Sequence, residues 1–226
     1  MRRKLKSKQA STIRDILTIK KKEPSKPILL FLTGGERTGK TLTSLTLFQS
    51  LLRIYRNTAN CDPSQLKGII ATYIGKATFN VGGVTLHSAN MPFNKVIHLP
   101  LISKKLDTLT KHYHEHHVLV IYEASLAGAT LLYHLDKCLQ KIQHTPTTSF
   151  GNIDIIFSSD LYHAQPVKDD WIFERPFLQN EQLPYTFWKT KVKCYELCRT
   201  MRKKDTLFVS SLNKMRFNHA SCEDIN

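Results

Sequence analysis

No apolar run in this chain of 226 residues approaches the roughly 18 that a membrane-spanning helix needs, so no membrane partner is expected. The first residues are charged and lack the apolar block of a secretory signal. A cytosolic or nuclear location is therefore expected, with nuclear preferred. Paired cysteines are missing as well. Cys61, Cys138, Cys194, Cys198 and Cys222 make an odd, scattered set of five, which points to free thiols in a reducing compartment. Acidic residues are scarce: 18 Asp and Glu stand against 33 Lys and Arg, a net charge of +15. That balance argues for a polyanionic partner, nucleic acid first. The plain alternative is a solvated basic surface or tail. No internal repeat is visible.

Metal-ligand patterns are lacking too. Cys194-x-x-x-Cys198 lies in a strand-like stretch without a second ligand pair. The cluster His112, His114, His116 and His117 has no carboxylate or cysteine pattern around it. It is expected at a helix end, where cationic or polar side chains suit the dipole.

What is present is organised around residues 28–43. The apolar run Ile28-Leu29-Leu30-Phe31-Leu32-Thr33 feeds Gly34-Gly35-Glu36-Arg37-Thr38-Gly39-Lys40-Thr41, and helical spacing follows from Leu42. This is the strand–G-x-x-x-x-G-K-[ST]–helix context of a phosphate-binding loop. Small residues let backbone N–H groups converge on phosphate oxygens, and the helix N-terminus adds positive dipole. Lys40 would reach the β and γ phosphates of ATP, and the Thr41 hydroxyl would hold Mg²⁺. Arg37 stands where many such loops carry another glycine, and its bulk could crowd the loop.

The remaining chain alternates strands and helices. Residues 1–27 read as a basic leader, expected to be disordered, with Ile13, Ile16, Leu17 and Ile19 enough for an amphipathic turn or two. A nuclear address or a nucleic-acid-touching arm is the other reading. Apolar residues at helical spacing run from Leu42 to Ile54, and a second short strand covers 67–72. The stretch 73–89 reads as a loop with donors, whose glycine pairs allow close backbone approach to a ligand. Val118-Leu119-Val120-Ile121 and Ile153-Asp154-Ile155-Ile156-Phe157 read as buried parallel strands. They end in Tyr122-Glu123 and Ser158-Ser159-Asp160. Helices are expected over 106–117 and 126–142. Residues 168–190 read as an irregular aromatic segment, with Trp171, Phe173, Phe177, Tyr185, Phe187 and Trp188 packing a long loop rather than stacking on bases. A strand over 192–197 and a helix from Asp205 complete the pattern. The fold class is α/β, a doubly wound, mostly parallel sheet with helices on both faces. Ligands are expected at the carboxyl ends of its strands.

This order of motifs resembles the Pif-type branch of superfamily-one DNA helicases, most closely the helicase segment of Helitron transposons. The matches are Thr33-Gly34-Gly35-x-x-Thr38-Gly39-Lys40-Thr41 and the long block Gly75-Lys76-Ala77-x-Phe79-Asn80-Val81-Gly82-Gly83-Val84-Thr85-Leu86-His87-Ser88-Ala89. Glu123-x-Ser125, Phe150-Gly151-Asn152, Asp160-Leu161-Tyr162, Pro166-Val167-Lys168-Asp169-x-Trp171-Ile172-Phe173 and Met201-Arg202 follow. The resemblance implies a RecA-like P-loop NTPase that hydrolyses ATP with Mg²⁺ to move 5′ to 3′ on single-stranded DNA, in repair or recombination. It implies a first motor domain over 28–200 and a junction helix over 201–226 leading to a second domain, absent here or supplied by another chain.

By that resemblance Lys40 and Glu123 are catalytic, with Glu123 activating the attacking water. Gly34, Gly35, Thr38, Gly39, Lys40 and Thr41 hold nucleotide, with Thr41 on the metal. Asp160, His163 and Arg202 also face the nucleotide. Gly75, Lys76, His87 and Ser88 border the DNA. The sequence also departs from the family. Tyr122 replaces the aspartate that precedes Glu123, His163 replaces a glutamine that senses the γ-phosphate, Ser159 replaces a glycine, and Tyr73-Ile74 replaces Pro-Thr. The adenine-reading Leu-Asn-x-x-Gln element is not visible in the leader. Tyr122 and the want of a second domain weigh against turnover by this chain alone. A degenerate, transposon-derived module that binds ATP or DNA without helicase activity is the alternative. An unrelated P-loop kinase leaves the block from Gly75 to Ala89 unexplained.

Overall fold

The computed structural model describes residues 5–35, 37–57, 67–73, 75–86, 88–89, 103–162, 165–167, 169–173, 183–199 and 214. Six short strands form one sheet: β1 (Leu29–Thr33), β2 (Gly68–Thr72), β3 (Val84–Thr85), β4 (Val118–Tyr122), β5 (Asp154–Ser158) and β6 (Lys193–Glu196). Their spatial order is β3-β2-β4-β5-β1-β6, and all five pairings are parallel. The helices are α1 (Ser7–Lys22), α2 (Lys40–Arg56), α3 (Gly75–Val81), α4 (Ser103–Tyr113), α5 (Ala129–Ile142) and α6 (Leu183–Lys191).

Alternation along each strand splits the core into two layers. Leu29 and Phe31, Leu119 and Ile121, and Ile155 and Phe157 face α4, α5 and α6 through Leu109, Leu132, Leu135, Leu139, Ile142 and Phe187. Leu30, Val118, Val120, Tyr122 and Ile156 join Ile13 and Ile16 of α1 and Leu47, Phe48 and Leu51 of α2. Strands clothed on both faces need continuous apolar runs, which is why β4 and β5 are buried throughout.

Three expectations are corrected here. The leader is not disordered over 7–22 but forms α1. Its Ile13 and Ile16 are buried with α2, and its Lys20 ammonium meets the Asp154 carboxylate at 2.9 Å, the two side chains being 3% and 0% exposed. The stretch 73–89 is not a plain loop, because α3 and β3 lie within it. The segment 168–190 contains α6, whose Trp188 ring sits edge-on to Phe31 at 5.4 Å and tilted against Phe157 at 5.1 Å. Of its six aromatics, Phe187 and Trp188 therefore pack on the sheet, as expected of that stretch. The helix expected from Asp205 lies outside the described residues apart from Lys214.

Phe150-Gly151-Asn152 is a structural motif. All three residues have positive φ, 53°, 62° and 65°. A Cβ on Gly151 would stand 2.4 Å from the Leu139 carbonyl oxygen. Buried Asp136 holds this turn by accepting the Phe150 N–H and the Gln140 amide.

Candidate functional site

The loop between β1 and α2 is shaped by close approach. Gly34 lies at φ 149°, and a Cβ there would meet the Leu197 carbonyl oxygen at 2.5 Å, so the backbone passes where only glycine fits. Thr38 Oγ1 donates to the Gly35 carbonyl at 2.8 Å. Gly39, at φ 90°, turns the chain into α2. Lys40 Nζ folds back over the loop and donates to the carbonyls of Gly34 and Gly35 at 2.6 and 3.1 Å. Its ammonium thus sits over the mouth of the loop, beside first-turn N–H groups that have no carbonyl four residues before them. Arg37 does not crowd this arrangement. It adopts φ 59° with its side chain exposed, so the cost is backbone strain, about 1 kcal/mol.

Thr41 is exposed at the start of α2, and its carbonyl accepts the Tyr122 hydroxyl at 3.2 Å. Tyr122 is buried at the end of β4. Desolvation raises its pKa above the ordinary phenol value, with a hydrogen bond to Ser44 opposing, so it stays neutral at any working pH. Glu123 follows at φ 52°, its N–H donating to the Ser158 carbonyl at 2.9 Å. Beside it, Ser159 Oγ lies 2.7 Å from Ser125 Oγ and accepts the Ser125 N–H at 3.1 Å. Ser159 therefore ties the ends of β4 and β5 together where a glycine could not. Asp160 is buried, and its Oδ1 accepts the Tyr162 N–H at 3.2 Å. The phosphate-type loop, Tyr122-Glu123 and Asp160 all leave the carboxyl edge of the sheet, on β1, β4 and β5.

Gly75 opens α3 at the end of β2 on the same edge. Gly83 lies against β2, where a Cβ would stand 2.5 Å from the Ile70 carbonyl oxygen. Ser88 closes a turn on Thr85, its Oγ accepting the Thr85 N–H and its N–H donating to Thr85 Oγ1, both at 2.9 Å. Phe79 of α3 is 93% exposed. His87, His163 and Arg202 lie outside the described residues, as does the side chain of Lys76. Among the described residues no group of three or more His, Cys, Asp or Glu stands ready to hold a metal ion. No helix among them is long and apolar enough to cross a membrane.

A profile of PIF1-like helicases matches residues 4–219. The chain belongs to that family. It is 29% identical over 208 residues to the ATP-dependent DNA helicase PIF1 of Saccharomyces cerevisiae (strain YJM789), covering 86% of this chain and 22% of that protein. It is 27% identical over 199 residues to the Candida albicans protein of the same name, covering 84% and 21%. The crystal structure of Pif1 helicase from Candida albicans superposes with a TM-score of 0.74 at 22% identity, over 99% of this chain and 46% of that one. Pif1 from Bacteroides, crystallised with ADP-AlF3 and single-stranded DNA, gives 0.69 at 21%, over 99% and 49%. The chain thus spans about a fifth of its curated relatives and about half of the solved chains. The fold is the RecA-like fold of that family.

One residue of this site escaped sequence reading. Gln9, buried in α1, donates from Nε2 to the Thr38 carbonyl at 3.0 Å and accepts the Lys6 N–H on Oε1 at 2.9 Å. It joins the leader helix to the loop. The signal was present as Leu5-Lys6-Ser7-Lys8-Gln9, the family's adenine-reading spacing with lysine where asparagine is usual.

Proposed function

We propose that this chain is the nucleotide-binding motor domain of a PIF1-type, ATP-dependent DNA helicase, binding ATP at the loop of residues 34–41 and single-stranded DNA along the same edge of the sheet. The observation that carries the reading is the Lys40 ammonium held over the loop mouth, 2.6 Å from the Gly34 carbonyl oxygen, at the N-terminus of α2. An anion entering there exchanges two carbonyl contacts for phosphate oxygens and meets the helix dipole. Gln9, bonded to the Thr38 carbonyl, braces the loop from the leader helix. Glu123 is the carboxylate for water activation, and Asp160 and His163 relay the state of the nucleotide. Arg202 is assigned to the γ-phosphate by the family resemblance alone. Movement 5′ to 3′, work in repair and recombination, and a nuclear location are properties of the assembled motor. Gly75, Lys76, His87 and Ser88 border the DNA strand, and the exposed ring of Phe79 gives that strand a surface on which a base can stack.

The fit to Mg²⁺ is incomplete. Thr41 presents a hydroxyl where the ion would be met, but the end of β4 presents the buried, neutral Tyr122 instead of a carboxylate. This favours a second reading, a module that binds ATP and DNA without turnover.

Two measurements separate the readings. ATP hydrolysis is assayed with and without single-stranded DNA, on the native chain and on Tyr122→Asp. Turnover stimulated by DNA in the native chain supports the motor. Turnover only in Tyr122→Asp supports the binding module. DNA affinity is then measured against salt. It should fall steeply with ionic strength, because phosphate contacts release counterions. Phe79→Ala should cost about 1–3 kcal/mol in DNA binding. A salt-insensitive affinity, or no loss in Phe79→Ala, contradicts the proposed DNA edge.

A further inference from the structure

We propose that the nucleotide site of this chain takes ATP without needing a divalent cation, because Tyr122 replaces the strand-end anion that makes such sites depend on one. The inference rests on the nucleotide-binding reading above and concerns what that site demands of its ligand.

A carboxylate at the end of β4 would repel a metal-free triphosphate, and a cation between the two would turn that repulsion into attraction. Tyr122 removes the anion from that position. Its hydroxyl is committed to the Thr41 carbonyl at 3.2 Å, the backbone of the residue whose side chain would meet the ion. Its ring is buried in the layer that holds Leu47, Phe48 and Leu51 of α2, so it is fixed by packing as well. The next residue does not restore the lost position. Glu123 leaves the strand in the left-handed region and begins the turn over 124–126, out of register with the strand-end side chain. Of the other acids that end or follow the described strands at this edge, Asp160 is buried beyond β5, and Glu196 is exposed at the end of β6, level with Thr33. On the positive side, Lys40 spans the loop mouth and the first turn of α2 has no acidic residue. The field met by a bare triphosphate is thus shifted towards attraction.

The test is equilibrium binding of ATP, by calorimetry, in excess Mg²⁺ and again in excess EDTA. It uses the native chain, Tyr122→Phe and Tyr122→Asp, each first checked for its fold by circular dichroism. In the native chain and in Tyr122→Phe, which also lacks the anion, chelation should change the affinity by no more than about threefold. In Tyr122→Asp it should weaken binding about tenfold or more. A native chain that loses tenfold or more on chelation overturns the proposal, as does a Tyr122→Phe that becomes metal-dependent. A folded native chain that binds ATP in neither condition overturns the nucleotide-binding reading itself, an outcome distinct from metal-dependent binding.

Discussion

The two ends of the sheet handle charge in opposite ways. At the amino ends of the strands, Asp154 is enclosed by donors: Lys20 Nζ at 2.9 Å, the Ile28 N–H at 2.7 Å and the Tyr55 hydroxyl at 2.8 Å. Burial pushes its pKa up, and these partners, Lys20 first, oppose that. Lys20 also donates to the Lys26 carbonyl at 3.1 Å and lies 5.1 Å from the Tyr55 ring centroid, and His117 stacks on that ring at 4.6 Å. At the carboxyl ends, the loop over 34–41 turns its ammonium to its own carbonyls at an open mouth. A closed set of charges fastens the leader helix to the sheet. The other set holds its ammonium on backbone carbonyls, where we propose that an anion binds. The same residue types therefore have different consequences, and substitutions at the two ends should separate stability from binding.

The largest expected effect is at the amino end. Asp154→Ala leaves a buried ammonium without its counter-charge and should cost about 3–5 kcal/mol. At this chain length that lowers the thermal midpoint by roughly 10 °C, read by calorimetry. ATP affinity measured well below that midpoint should be unchanged. A loss of affinity in the folded variant would mean that the two ends are coupled through α1.

His116 gives the next effect, also at the amino end. Its pKa is lowered to about 4, first by burial and then by His117, Lys67 and His112. Its Nδ1 has no hydrogen-bond partner among the described residues, and Glu115 pairs with Lys67 alongside at 2.6 Å. The unfolded chain takes a proton near pH 6.5 while the folded one resists until about 4. The stability is therefore complete above the unfolded value and is lost as pH falls through that window, by up to about 3 kcal/mol. Denaturant titrations should show this fall in the native chain and a flatter profile in His116→Phe. An equally steep profile in the variant would place the titration elsewhere.

The smallest effect belongs to the loop. Arg37→Gly relieves a positive-φ side chain, and its stability should rise by no more than about 1 kcal/mol, measured by denaturant midpoint. A loss would show that the arginine side chain, not its backbone, matters to the loop.

These regions differed in legibility for physical reasons. β4, β5 and the loop were plain, since a run such as Val118–Ile121 and the Gly34–Thr41 spacing are local signals. The leader was misread because its decisive contact joins residues 20 and 154, and a lysine destined for burial looks in sequence like any other. α3 was missed because glycine, threonine, asparagine and valine in 75–81 favour it little; Gly82, at φ 65°, and the Gly83 N–H on the Thr78 carbonyl at 3.2 Å end it. α6 was hidden by Pro184, which a first helical turn tolerates, and by aromatics that suit loop and helix alike. Of the site, residue types and spacing gave the loop, Glu123 and Asp160. The bond from Gln9 to the Thr38 carbonyl spans 29 positions, and only the fold brings it into view. The hydroxyl of Tyr122 on the Thr41 carbonyl is equally a product of β4 lying beside α2.

The most direct test of the central claim is ATP binding by Lys40→Ala, with its thermal midpoint measured on the same sample. The expected result is a loss of affinity of at least about tenfold, some 1.4 kcal/mol or more, with a midpoint that moves by only a few degrees because the lost contacts lie at an open mouth. Unchanged ATP affinity in a folded Lys40→Ala would contradict the assignment of the loop over 34–41 as the nucleotide site.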